Sequence, residues 1–187
     1  MNEEKKTKKE TIAANKALLK KYPILKPRFV SLKGAKYDYT YTELDTVCMG
    51  WHKMFLELCD AIMAHLKKVH IKPSEFYFFD IKEKWGSLRI TCGGYDDDEI
   101  ERMILDAEDR SLLFCPRCGK PTKYVTRGYV LYLCPECYAQ SKLTGTLLTP
   151  ADIPTITEYN NEKGTSTKRP TAYDADFRAT WTGKEGT

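Results

Sequence analysis

Between Thr42 and Val69 the apolar residues Trp51, Phe55, Leu58, Ile62, Leu66 and Val69 recur at spacings of three and four. That spacing makes one broad helical face. Thr42 with Asp45 three residues on resembles a capped start, and Pro73 closes the region. FYFFDI at 76–81 is too short for a helix and reads as a buried strand. SLRITC at 87–92 alternates, with Leu88, Ile90 and Cys92 on one face, and the intervening KEKWG supplies a glycine, so the two runs predict a β-hairpin. Asp96 to Asp98 favour a helix N-terminus, after which Ile100, Met103, Ile104 and Ala107 fall at core spacing. The predicted fold class is α+β, with a helix–β-hairpin–helix body.

The flanks carry weaker patterns. Residues 3–22 hold good helix formers but only a sparse stripe of Ile12, the Lys16 stem and Leu19, a helix that needs a partner surface. Pro23 and Pro27 stop it and start an extended stretch. After Tyr138 the chain is rich in Thr, Gly, Pro and charge without periodicity. The predicted organisation is a basic N-terminal arm at 1–36, the body at 37–112, a cysteine module at 113–140 and an irregular or disordered tail at 141–187.

Charge sharpens that division. The arm has eleven Lys/Arg against three Asp/Glu, and the body nine against sixteen. Such an arm has two uses: to touch nucleic acid, or to dock on its own acidic body. No run of eighteen apolar residues appears, so no membrane span is expected. The charged start, MNEEKKTKKE, lacks an apolar core, which argues against secretion. An odd count of seven cysteines, four in metal-type pairs, fits a reducing cytoplasm.

CPRCGKPTKYVTRGYVLYLCPEC at 115–137 holds the clearest chemistry. Two Cys-x-x-Cys turns supply four sulfurs to one tetrahedral ion, with Cys115, Cys118, Cys134 and Cys137 as ligands. Between them the sequence reads as a hairpin with Arg127–Gly128 at its tip, the arrangement of a zinc ribbon. Zinc is preferred over a rubredoxin-like iron site or a redox pair. Four thiolates leave no open position, so one structural Zn²⁺ is expected and no metal catalysis.

Other constellations weigh less. Cys48, His52, Phe55 and Cys59 share a helix face, but residues eleven apart lie about 16 Å apart, so both cysteines cannot bind one ion. Core packing is the simpler role, for Cys92 as well. Asp80 and Lys82 at a strand end are the only thread towards a metal-dependent nuclease, which would need Glu57 or Asp60 alongside. Asp96 to Glu99 read as a helix N-terminus rather than a cation site. Tyr124, Tyr129 and Tyr132, with Lys123 and Arg127, form a candidate nucleic-acid or partner contact on the ribbon hairpin.

Taken with the paired cysteines, KKYPILKPRF, YDYTYTELD, GWHKMFLELCDAI and IKEKWGSLRI resemble the small zinc-ribbon proteins of bacteriophages and prophages from Gram-positive, often gut, bacteria. The resemblance covers roughly residues 17 to 140. It implies a viral protein acting in the cytoplasm of a bacterial host, and it implies no catalytic residue. The expected function is that of a non-enzymatic protein that binds and modulates a host or phage protein, such as a defence or regulatory factor. The alternative is nucleic-acid binding through the arm and the ribbon, with a nuclease third. A virion role is also open.

Overall fold

The computed structural model describes residues 7–28 and 36–148. Helix α1, Lys8–Lys21, opens on a reciprocal cap. The Thr7 hydroxyl accepts from the Glu10 amide, and the Glu10 carboxylate accepts from the Thr7 amide at 2.7 Å. Leu19 and the following Tyr22, Ile24 and Leu25 enter the same core as Trp51, Phe55 and Ile62. Residues 8–28 are therefore built into the body and are not a separate arm. Charge assists the docking: Lys8 lies 3.8 Å from Asp38 and Lys21 lies 3.4 Å from Asp60. The rest of the expected arm, 1–6 and 29–35, falls outside the described residues.

The long helix expected from Thr42 is shorter. Helix α2 spans His52–Lys68, preceded by two 3₁₀ turns at Glu43–Thr46 and Met49–Trp51. Asp45 accepts from the Thr42 amide at 2.6 Å and closes the first turn. Val47 and Cys48 are then extended, and the Gly50 amide donates to the Pro116 carbonyl at 2.9 Å. Tertiary contact with the cysteine module thus replaces the first turns of the helix. The apolar face is as expected: Trp51, Phe55, Leu58, Ile62 and Leu66 are all buried.

Strands β1, Phe76–Lys84, and β2, Ser87–Gly94, pair antiparallel, with a bulge at Phe79. Trp85 and Gly86 make the turn, both at positive φ (56° and 79°). Helix α3, Asp98–Ser111, covers the free edge of β2. The buried Glu108 carboxylate accepts from the Ile90 amide at 2.7 Å, and the Ser111 hydroxyl accepts from the Leu88 amide at 2.8 Å. Two edge donors are thereby satisfied where, among the described residues, no third strand pairs with β2. At its other end α3 is tied to α2: His65 Nε2 donates to Asp97 Oδ2 at 2.7 Å, and Asp97 Oδ1 caps the Ile100 amide.

The cysteine module contains β3, Tyr124–Thr126, β4, Tyr132–Leu133, helix α4, Pro135–Ser141, and β5, Gly145–Leu147. Its sheet has the order β4-β3-β5. Strand β5 lies in the stretch expected to be irregular, and Leu148 after it is buried with Leu112, Leu113 and Tyr132. A three-residue strand is too short to leave a period in sequence; backbone pairing with β3 makes it. Residues 149–187 fall outside the described residues. Among the described residues no helix is long and apolar enough to cross a membrane.

Candidate metal centre

Cys115 and Cys118 sit on a turn closed by the Gly119 amide donating to the Cys115 carbonyl at 2.8 Å. Gly119 has φ +75°, a conformation that L side chains rarely adopt. The second pair is positioned differently: Cys134 is the N-cap of α4, and its sulfur accepts from the Cys137 amide at 3.4 Å. The β3–β4 hairpin brings the two pairs together, and an ion pair between Lys120 and Glu136 links the two turns.

The four sulfurs lie within 4.8 Å of one another. Cys118 is 3.5 Å from Cys134 and 3.6 Å from Cys137. A tetrahedral ion with thiolate bonds of about 2.3 Å requires sulfur separations of about 3.8 Å. None of the seven cysteines is in a disulfide. Cys115 and Cys134 are fully buried and Cys118 faces solvent. The four residues named from the spacing thus form one cluster that could hold a metal ion.

That cluster is pressed against the start of α2. A Cβ built on Gly50 would lie 2.0 Å from the Cys115 carbonyl and 2.8 Å from the Cys118 amide. Only glycine permits this approach. Beside it the Trp51 indole N–H donates to the Phe114 carbonyl at 2.7 Å. The ribbon is therefore not tethered by a linker; it shares a packed face with the body.

The expected contact set on the hairpin separates into two groups. Tyr132 is buried at 6% exposure, and Tyr124 stacks on Tyr138 with centroids 4.2 Å apart. Lys123, Arg127 and Tyr129 remain exposed. The Tyr129 hydroxyl donates to Glu83 Oε2 at 2.6 Å, while Glu83 Oε1 accepts from the Gly86 amide at 2.6 Å. Burial and then the charge of Glu83 push the Cys48 thiol up. Trp85 and Tyr129, at 59% and 63% exposure, thus come from two separate segments around Glu83. Sequence reading named Tyr129 and missed Trp85. The available signal was a tryptophan directly before the turn glycine of a hairpin.

The remaining candidates are placed without forming a catalytic group. His52 Nε2 donates to the Val47 carbonyl at 2.9 Å. Burial pushes the Cys59 thiol well up and the Cys92 thiol to about 11, which keeps both protonated. Lys82 pairs with Asp80, while Glu57 pairs with Arg110 at 2.8 Å and Asp60 with Lys21. Burial, and then the charge of Asp80, push the Glu43 carboxyl up to about 7. No protein-family model, curated protein or solved structure matches the chain, so its own geometry carries the functional argument.

Proposed function

We propose that the chain is a zinc-stabilised, non-enzymatic binding protein that takes a protein partner on the tip formed by Trp85 and Tyr129. The carrying observation is Trp85. Its φ of 56° puts a bulky side chain at the first central position of a two-residue turn that favours Asn or Gly, yet its ring is 59% exposed. Backbone strain spent on an exposed ring points to use outside the fold. Tryptophan and tyrosine are the side chains enriched at binding hot spots.

Zinc is the metal that suits four thiolates held tetrahedrally, and such a site leaves no position for substrate or water. Its role is to stabilise the module. Around the tip the charges are mixed, with Lys82, Glu83 and Lys84 in succession, which suits a protein surface better than a phosphate backbone. With the phage-type resemblance as the guide, the proposed partner is a host or phage protein in a bacterial cytoplasm.

The test is capture from bacterial lysate with tagged full-length chain, with and without nuclease, against Trp85→Ala/Tyr129→Ala. A discrete protein retained after nuclease by the wild type and lost by the variant supports the proposal. Equal recovery by both, or recovery of nucleic acid alone, contradicts it.

A further inference from the structure

A second surface lies at the far end of α2, about 25 Å of helix away from the metal centre. Two hollows meet there at Pro73. One, of about 330 Å³, is lined by Lys26, Pro27, Arg28 and Tyr77 among others. The other, of about 620 Å³, is lined by the apolar Met63, Ala64 and Ile71 and by Lys67, His70 and Lys72.

The chemistry of the lining is one-sided. Among the described residues no acid lines either hollow. The stretch 61–74 holds three lysines, two histidines and no acid, inside a body with sixteen acids against nine Lys/Arg. Glu75, just beyond it, is turned to the backbone, where its carboxylate accepts from the Lys72 amide at 3.2 Å. The Arg28 guanidinium stacks 3.9 Å above the centre of the Tyr77 ring, which holds its charge at the groove.

We infer that these two hollows form one docking groove for an acidic peptide segment, bearing apolar side chains, of a partner protein. Charge complementarity selects the acids, and the apolar lining residues Met63, Ala64 and Ile71 select the apolar residues between them. A single-stranded nucleic acid fits less well: of the rings in the first lining, Phe76 is buried and Tyr77 already carries Arg28 stacked on it. This site is separate from the Trp85 tip and does not depend on it.

The experiment is fluorescence anisotropy on the full-length protein, with a labelled peptide of alternating glutamate and leucine and, separately, labelled oligo-dT. Binding of the peptide is expected, weakened about tenfold by Lys67→Glu/Lys72→Glu. Ala64→Glu, which places an acid in the groove lining, should weaken it comparably, and Lys9→Glu/Lys53→Glu, away from the groove, should not. All these positions are exposed, so melting curves should match the wild type. Failure to bind the peptide, equal loss in the Lys9/Lys53 variant, or binding of oligo-dT in its place would overturn the inference.

Discussion

The indole of Trp51 donates to the carbonyl of Phe114 across sixty-three residues of sequence, at 2.7 Å and with the tryptophan fully buried. One hydrogen bond thus joins the start of the core helix to the chain entering the metal turn. Trp51→Phe keeps most of the packing and leaves that carbonyl without its donor. A loss of about 1–3 kcal/mol is expected in urea unfolding.

Gly50 sits where a methyl group would strike the Cys115 carbonyl. Gly50→Ala should force the metal turn away from α2. Competition with a chelator reads this: the variant should release its metal at lower chelator concentration, and unfolding should show a cost of about 1–3 kcal/mol.

Asp97 joins three donors. Burial alone would raise its carboxyl, but hydrogen bonds from His65, the Ile100 amide and Tyr95 outweigh it and hold the group at about 2. A carboxyl held below its ordinary value adds stability above about pH 4, and that stability drains away as the pH falls towards 2. Asp97→Ala should cost about 1–2 kcal/mol at neutral pH through loss of the cap. The gap to wild type in denaturant melts should narrow on acidification.

Glu43 works in the opposite sense. With its carboxyl pushed up to about 7, the folded state holds a proton that the unfolded chain has released. Stability from this group is therefore lost as the pH rises from about 5 to about 8. Glu43→Gln should match wild type near pH 5. Near pH 8 it should melt higher, by on the order of 1 kcal/mol given the partial exposure of the side chain.

Legibility in the sequence followed the range of the forces. The cysteine ligands were readable because their spacing within each turn is the geometry itself. The core faces of α2 and α3 were readable because Phe55 to Leu66 and Ile100 to Ala107 keep helical period. The start of α2 was not, because the backbone of Gly50 answers to Pro116, far along the chain. Strand β5 was hidden for the same reason, its pairing with β3 being a backbone matter. The Trp85 tip was invisible because two segments distant in sequence, the 83–86 turn and Tyr129, meet only around Glu83.

The central claim is that one zinc ion on four cysteines holds the module against α2 and so fixes the tip. Native mass spectrometry of the full-length protein, coupled to hydrogen exchange with and without chelator, tests it most directly. The account predicts one zinc per chain, lost in Cys115→Ser/Cys134→Ser, with exchange at Gly50 and Trp51 rising once the metal is removed. A chain that carries no zinc, or one whose Gly50 and Trp51 amides exchange alike in both states, would contradict it.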